Sequence, residues 1–517
     1  MTYLAVPIRV ENPEQSQAAV DQAVSAGAEM LELRLDYLNK PSTDTVDMVV
    51  GYARQTGLPI IAACRPRWEG GSFKGSEQER QDLLKHALMA GTQFLDIEWA
   101  CLEQPGFDLN KITESSPAKI IISSHDFKKT PADLRERLAS IKKNNPSVCK
   151  IAYMAVDIND TLVALDLIYE ESALEQQIIA LAMGEAGVIS RLLAKKLGAF
   201  LSFASLKDSA ESAPGQLTIE QMKNVYRWED INNETSVFGV IGYPIAHSIS
   251  PGVHNAAFKY INYNGLYVPL LVDPPWNIFR QCLDALRRRQ WLDFHGTSIT
   301  IPHKQNARDY VLENQGYLEP LADKLCAVNT LLFDAKEGVR GYNTDYTGAL
   351  DAITSTLSIE RSDLKGIPAA VIGAGGAARA IVGGLTDIGV NVTIYNRTVE
   401  KAQRLAEEFN CQFAPLKNIR RLEAKLVVNA TSIGMHPNID ALVLDSDLIR
   451  PDMVVFDMVY NPLKTMLLQQ AEAVGAKTIN GVIMFVNQAA AQFELFTGQR
   501  APRDLMRQVI RQQLEKG

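Results

Sequence analysis

No two cysteines of this 517-residue chain stand as Cys-x-x-Cys, and none lies beside a histidine at zinc-ligand spacing. The six present, Cys64, Cys101, Cys149, Cys282, Cys326 and Cys411, are scattered. A disulfide scaffold and a zinc module are thereby excluded, no metal is expected, and reduced thiols in a cytoplasmic protein are the natural reading. Positive charge is also short: 52 Lys and Arg against 60 Asp and Glu leave a net charge of -8 and a pI of about 5.6. Such a field repels nucleic acid and anionic membrane surfaces but leaves room for small anionic ligands beside local arginines and lysines. There is no apolar run long enough to span a bilayer, and no heptad, solenoid or low-complexity tract. The opening "MTYLAVPIRV" enters a strand-like run at once, without the basic or Arg/Ser-rich character of a targeting leader.

What is present is 46% hydrophobic residues over a length that fits two or three domains. Up to about Ser205, short apolar runs alternate with helical patterns: "LAVPIRV", "MLELRL", "PIIAAC", "FLDIE", "KIIISS", "CKIAYM", "QIIALAM" and "FLSFAS". Eight β-α units are the number that closes a (β/α)8 barrel. Thr218 and Gln221 in "TIEQMKNVYRW" form a capping box that predicts one more helix. The polar "EDINNET" then marks a boundary before the fresh strand "SVFGVIGYP". We expect an α/β chain of four parts: a barrel over residues 1–228, a substrate domain over 236–345, a dinucleotide-binding domain over 346–485, and C-terminal helices over 486–517 that return to the substrate domain.

Barrel chemistry sits at the C-terminal strand ends. Polar residues there are Glu32 and Arg34 on one face of "LELRL", Arg65 after "IIAAC", Glu98 closing "FLDIE", His125 after "IIISS", and Lys150 within "CKIAYM". Alone, each has a plain structural explanation, such as a snorkelling lysine, a bonded histidine or a buried ion pair. Together they would be costly to desolvate without a function. A lysine attacks a carbonyl only when neutral, and apolar surroundings with nearby cations favour that form, so the pattern points to an imine between Lys150 and a ketone.

The motifs "SSHDFKKTP", "KIAYMA", "GVISRL" and "SAPGQL" resemble, in order, those of type I 3-dehydroquinate dehydratase. The resemblance implies that Lys150 forms a Schiff base with 3-dehydroquinate and that His125 is the general acid/base, oriented and tuned by Glu98. It further implies that Arg191, Ser212 and Gln216 hold the substrate carboxylate, and that Glu32, Arg34 and Arg65 meet ring hydroxyls. The first strand offers only Arg9 and is given no role.

In the second half, "VIGAGGAARA" fits G-x-G-x-x-A between an apolar strand and a helical pattern, as in a Rossmann β-α-β unit. Gly373, Ala374, Gly375, Gly376 and Ala377 would bring backbone to a pyrophosphate at a helix N-terminus. The next strand ends in "YNRTVEK", with Asn396, Arg397, Thr398 and Lys401 where NAD sites place an acid, which favours NADP. Lys304 and Asp345 read as an acid/base pair for ketone reduction, or more plainly as a salt bridge. His247 and His254 are taken as structural.

"GYPIAHSISPGVHNAAF", "TSITIPHK", "AVNT", "GYNTDYTG", "NATSIGMHP", "DMVYNPLKT" and "FVNQAAAQFELFTG" resemble shikimate dehydrogenase. By that resemblance Ser248 and Ser250 bind the substrate carboxylate, and Thr300, Asn329 and Asp345 its hydroxyls. Lys304 is the acid/base assisted by Asp345; Gln488 and Tyr460 contact substrate, and Thr431 and Gly481 belong with the cofactor. Ser298 departs from the Asn frequent in single-domain members and bears on shikimate against quinate. The two halves together resemble the bifunctional dehydroquinate dehydratase–shikimate dehydrogenases, whose partners are the small molecules 3-dehydroquinate, 3-dehydroshikimate and shikimate. A quinate dehydrogenase second half and a ligand sensor without turnover are the rival readings; the sequence carries no oligomeric state.

Overall fold

Short runs of β-branched and aliphatic residues make strands because such side chains pack well on both faces of a buried sheet. In the computed structural model, which describes residues 1–517 apart from 41, 105–106, 114–117, 208–212, 335, 422 and 517, the first eight runs become eight strands. They are β1 (Tyr3–Arg9), β2 (Met30–Arg34), β3 (Ile60–Ala63), β4 (Phe94–Glu98), β5 (Lys119–Asp126), β6 (Val148–Met154), β7 (Ile178–Met183) and β8 (Leu201–Phe203). They pair in the order β7-β6-β5-β4-β3-β2-β1-β8. The seam between β7 and β8 carries the Phe200 N–H donating to Ile178 O at 2.8 Å, so the expected barrel is near-closed. Met30, Ile61, Phe94, Ile121, Val148 and Ile179 pack together inside it from the early positions of their strands. That apolar plug lifts the polar layers toward the C-terminal face.

The capping box after the barrel forms: Gln221 N–H donates to Thr218 Oγ1 at 3.1 Å, and Thr218 N–H to Gln221 Oε1 at 2.8 Å. The expected helix forms behind it, but Gln221–Val225 winds as a π-helix and not as a regular α-helix. Met222, Tyr226 and Trp228 are all buried there, and packing overrides the α-helical spacing.

The second sheet is mixed. Its strands are β9 (Ser236–Gly242), β10 (Gly265–Leu271), β11 (Phe294–Ile299), β12 (Tyr317–Leu318), β13 (Thr330–Asp334) and β14 (Gly338–Tyr342), in the order β10-β9-β11-β13-β14-β12. β11 runs parallel to β9 and antiparallel to β13. The third sheet holds β15 (Pro368–Ile372), β16 (Asn391–Asn396), β17 (Gln412–Pro415), β18 (Leu426–Asn429), β19 (Val454–Asp457) and β20 (Lys477–Asn480). Its order, β17-β16-β15-β18-β19-β20, is that of a doubly wound nucleotide-binding sheet, whose strand order reverses between β15 and β18. The helix Gly481–Thr497 then lies along the helix Thr344–Leu357. Their approach requires Gly348, since a Cβ there would stand 2.8 Å from the backbone nitrogen of Gln488.

By their contacts the residues fall into two compact units: Met1–Ser236 with Tyr243–Ala246 and Val268–Asp293, and Val237–Gly242 with His247–Tyr267 and Phe294–Gly517. Among the described residues no helix is long and apolar enough to cross a membrane. All six cysteines are free.

Candidate active sites

The barrel strands converge their polar side chains on one cavity lined by Glu32, Arg34, Arg65, His125, Lys150, Arg191 and Gln216 together with apolar side chains. Lys150 is buried and donates to Asp96 Oδ2 at 2.6 Å and to Glu32 Oε1 at 3.4 Å. Its Nζ also stands 4.9 Å from the centre of the Phe203 ring. Arg65 Nη2 donates to the same Asp96 oxygen at 3.0 Å. Arg34 makes a two-pronged pair with Asp36 at 2.8 and 2.9 Å, and Asp36 also accepts from Ser72 N–H at 3.0 Å, so the fork is fixed in direction. Arg191, on the short helix Val188–Leu192, and Gln216 are buried in the wall. Ser212 lies outside the described residues.

One expectation is corrected. Glu98 does not orient His125: its Oε2 accepts from Arg80 Nη1 at 2.7 Å, and Oε1 stands 3.8 Å from Arg65 Nε. The carboxylate that faces His125 is Glu69, whose Oε2 lies 3.3 Å from Nδ1. Glu69 sits in the 3-10 turn Arg67–Glu69 after β3, and burial draws it against the ring. Arg65 Nη1 contacts His125 Nε2 on the other side. A guanidinium can only donate, so Nε2 carries the lone pair and Nδ1 the proton, which goes to Glu69.

The electrostatics agree with a base that waits neutral. Burial first, then Arg65, Lys150 and Arg34, hold the His125 imidazole well below its ordinary 6.5. Burial, with Glu98 adding to it, pushes the Glu69 carboxyl up to about 8. Burial pushes Asp96 the same way, but Lys150 and Arg65 outweigh it and keep that carboxylate below its usual range.

In the second unit Lys304, first residue of the helix Lys304–Glu313, donates to Asp345 Oδ2 at 2.5 Å. Asp345 opens the helix Thr344–Leu357, where its N–H is capped by Asn343 Oδ1 at 3.0 Å. Its other oxygen accepts from Asn329 Nδ2 at 2.9 Å. Behind Asn329 runs a buried chain of donors. Tyr267 OH donates to Ser298 Oγ at 2.6 Å, Ser298 Oγ to Gln492 Oε1 at 2.8 Å, and Gln492 Nε2 to Asn329 O and Thr330 Oγ1, both at 3.1 Å. Thr330 Oγ1 returns to Asn329 Oδ1 at 2.8 Å. Asp96, Glu69 and this Gln492 chain went unread in the sequence.

Of the other expected substrate contacts, Ser248, Ser250, Thr300 and Gln488 are half-buried, and Tyr460 is exposed with its ring stacked on Phe485 at 5.6 Å. Ser250 N–H donates to Ser248 Oγ at 3.4 Å, and Thr300 N–H to Ile241 O at 2.9 Å. His247 is exposed, whereas His254 is buried with its ring stacked on Tyr267 at 4.3 Å.

Burial depresses His254 to about 3 from 6.5. The unfolded chain therefore takes up a proton near pH 6.5 that the folded chain refuses until about pH 3. Its contribution is complete above the upper value and lost as pH falls through the window, by about 1.4 kcal/mol per unit. Urea midpoints measured at pH 7, 5 and 4 should fall less steeply for His254→Phe than for the native chain.

At the end of β15, Gly373 has φ 118, and a Cβ there would stand 2.9 Å from Ala430 O, so only glycine fits. Gly375, Gly376 and Ala377 are exposed at the start of the helix Gly376–Asp387, beside half-buried Ala374, and a Cβ on either glycine would meet nothing within 4 Å. Arg397, Thr398 and Lys401 are exposed after β16, with Asn396 Nδ2 donating to Thr398 O at 2.8 Å. Thr431 Oγ1 donates to Asn429 Oδ1 at 2.7 Å. An open, glycine-lined helix N-terminus with cations at the neighbouring strand end fits a dinucleotide carrying a 2′-phosphate. Gly481 is different: it is buried, and a Cβ would stand 2.5 Å from Met458 O, so close backbone passage already explains that glycine.

Four family models match the chain: Type I 3-dehydroquinase over residues 4–233, Shikimate dehydrogenase substrate binding domain over 240–331, Shikimate / quinate 5-dehydrogenase over 356–449, and Shikimate 5'-dehydrogenase C-terminal domain over 481–511. The chain is 36% identical to the chloroplastic bifunctional 3-dehydroquinate dehydratase/shikimate dehydrogenase of Arabidopsis thaliana, across 98% of this chain and 84% of that protein. It is 38% identical to the shikimate dehydrogenase (NADP(+)) of Methanosarcina barkeri, across 54% of this chain and 99% of the other. A solved shikimate dehydrogenase in complex with NADP+ superposes with a TM-score of 0.50 at 37% identity, covering 55% of this chain and 97% of its own.

Proposed function

This chain belongs to the family of bifunctional 3-dehydroquinate dehydratase/shikimate dehydrogenases, and from that premise we propose how its own residues divide the two reactions. It is an enzyme of the shikimate pathway, a lyase in its first half and an oxidoreductase in its second. We assign dehydration to residues 1–228 and reduction to the rest, with 236–345 binding substrate, 346–485 binding cofactor, and 486–517 completing the substrate lobe.

In the barrel, Lys150 Nζ attacks the 3-keto carbon of 3-dehydroquinate, and the carbonyl oxygen leaves as water. The protonated imine acidifies carbon 2, and His125 takes that proton on Nε2. His125 then returns it to the hydroxyl on carbon 1, which departs as a second water. Hydrolysis of the imine frees 3-dehydroshikimate and Lys150. Glu69 holds Nδ1–H, which fixes the tautomer and the ring direction. Arg191 and Gln216, with Ser212, hold the carboxylate, and Glu32, Arg34 and Arg65 face the hydroxyls. The observation that carries this reading is one cavity holding Lys150, His125, Arg191 and Gln216 together.

In the second half, NADPH supplies the hydride. Lys304 gives a proton to the oxygen that gains charge, and Asp345 keeps the ammonium aimed. Ser248 and Ser250 bind the carboxylate, and Thr300, Asn329, Gln488 and Tyr460 surround the ring. The turn Gly373–Ala377 takes the pyrophosphate, Arg397 and Lys401 the 2′-phosphate, with Asn396 and Thr398 beside them and Thr431 on the nicotinamide side. Free cysteines support a cytoplasmic setting, and the charge of -8 supports partners that are small molecules and neither nucleic acid nor membrane.

The test is to give the purified protein 3-dehydroquinate alone, follow the conjugated enone by ultraviolet absorbance, then add NADPH or NADH. Enone growth followed by its loss with NADPH, and much more slowly with NADH, is the expected result. Ser298 commits its hydroxyl to Tyr267 and Gln492, leaving it no proton for a substrate oxygen, so quinate with NAD is the second arm; faster turnover there would displace the shikimate reading.

The Glu69 assignment separates from Glu98 by variants. Glu69→Gln should lower dehydration by about 10²-fold with little change in melting, the scale of a lost proton-transfer partner. Glu98→Gln leaves buried Arg80 without its internal carboxylate and should destabilise the barrel by roughly 3–5 kcal/mol. The reverse pattern in dehydration rates would return the role to Glu98.

A further inference from the structure

Inside the barrel, the alternate strands β2, β4, β6 and β8 place Glu32, Asp96, Lys150 and Phe203 in one layer, the stacking expected of eight tilted strands. The ammonium therefore has two carboxylates within reach, and they are not equivalent. Asp96 Oδ2 is at 2.6 Å with no exposed surface, and Arg65 donates to the same oxygen at 3.0 Å, so its position is fixed from two sides. Glu32 stands back at 3.4 Å.

An imine withdraws electrons from carbon 2 only while its nitrogen is protonated. Here that nitrogen would be a cation in a dry layer, in a cavity that Arg34, Arg65 and Arg191 also line. Burial and three like charges all favour loss of its proton, and only an anion in direct contact opposes them. Resting on the reading that Lys150 forms the imine, we propose that Asp96 is the counter-ion that keeps this imine protonated. The exchange balances without an outside proton: an ammonium and a ketone give a protonated imine and one water, the Nζ–carbon bond forming as the carbon–oxygen bond breaks. The remaining N–H stays on Asp96 Oδ2. When His125 draws the proton from carbon 2, the nitrogen becomes neutral, and expulsion of the carbon 1 hydroxyl restores its charge beside the same carboxylate. Asp96 neither gains nor loses a proton.

The test uses the full chain with Asp96→Asn, which keeps the side-chain volume. Borohydride is added with 3-dehydroquinate, and the Lys150 adduct is read by mass spectrometry beside the pH profile of kcat for dehydration. Asp96→Asn should still be trapped and hold its KM within a few-fold. Its kcat should fall by about 10²-fold, the cost of one well-placed electrostatic partner. Its alkaline limb should move at least one pH unit lower, because the imine loses its proton sooner, and Asp96→Glu should recover part of the shift. Reduction of 3-dehydroshikimate by the same variant, unchanged, shows that the second half is intact. If Asp96→Asn fails to fold its barrel, the alkaline limb of Asp96→Glu decides. An unmoved alkaline limb with the loss confined to KM would mean that Asp96 only anchors Arg65, and overturns the proposal. Absence of any trapped adduct from the native protein overturns the Lys150 reading itself.

Discussion

Replacement of Lys150 by alanine removes dehydration, by roughly 10⁴-fold or more, while reduction of added 3-dehydroshikimate with NADPH proceeds at the native rate. Among the described residues that line the cavity, none but Lys150 can form an imine: Glu32 is a carboxylate, and arginine is too basic to serve as a neutral nucleophile. Removing one member of such a constellation leaves only binding and proton transfer. The site is also closed to rescue by solvent, since Lys150 and Asp96 side chains are 4% and 0% exposed. Enone formation measured at high enzyme concentration, together with loss of the borohydride adduct, checks the result. Retention of even a tenth of the native rate would remove the imine from the mechanism.

Lys304→Ala should lower reduction by about 10²–10⁴-fold and leave dehydration untouched. The smaller effect follows from exposure: the Lys304 and Asp345 side chains are 34% and 15% exposed, so water can reach the developing alkoxide and partly replace the ammonium. Asp345 stays in place without its partner, because Asn329 Nδ2 and the helix cap still hold it. The loss should therefore appear in kcat, with the KM for NADPH within a few-fold of native. Mixing the Lys150→Ala and Lys304→Ala chains in one solution should restore conversion of 3-dehydroquinate to shikimate through free intermediate. A mixture that stays inactive would mean that one variant had lost more than its lysine.

The alternation of eight apolar runs was enough to read the barrel, and the G-x-G-x-x-A turn between strand and helix enough to read the third sheet, because both follow from local periodicity. Lys150 and His125 were legible for a related reason, since a charged residue inside or beside an apolar strand has to be explained, whereas Lys304 and Asp345 read as an acid/base pair next to a nicotinamide site. Asp96 is not legible at a strand end, because its contact lies one pleat deeper. In the ladders Lys150 is level with Ser123, and Ser123 with Glu98. Barrel strands are tilted, so the side chain that meets Lys150 is two residues earlier on β4. Glu69 was hidden differently, in a 3-10 turn with no periodicity, four residues past Arg65, and only the closed barrel brings it to His125. Gln492 lay on a helix whose apolar pattern gave no hint that its amide reaches β11 and β13.

That amide also sets an order of assembly. Every strand of the barrel lies before residue 204, so the dehydratase can close as soon as one continuous stretch has left the ribosome. Ser298 waits for a partner 194 residues further along the chain. Asn329 waits 163 residues for the same amide, and at ~5–20 residues per second that is on the order of 8–33 s during which it, and through it Asp345, lacks its buttress. During each round of synthesis a nascent chain should therefore dehydrate before it can reduce, and release 3-dehydroshikimate that only finished molecules consume.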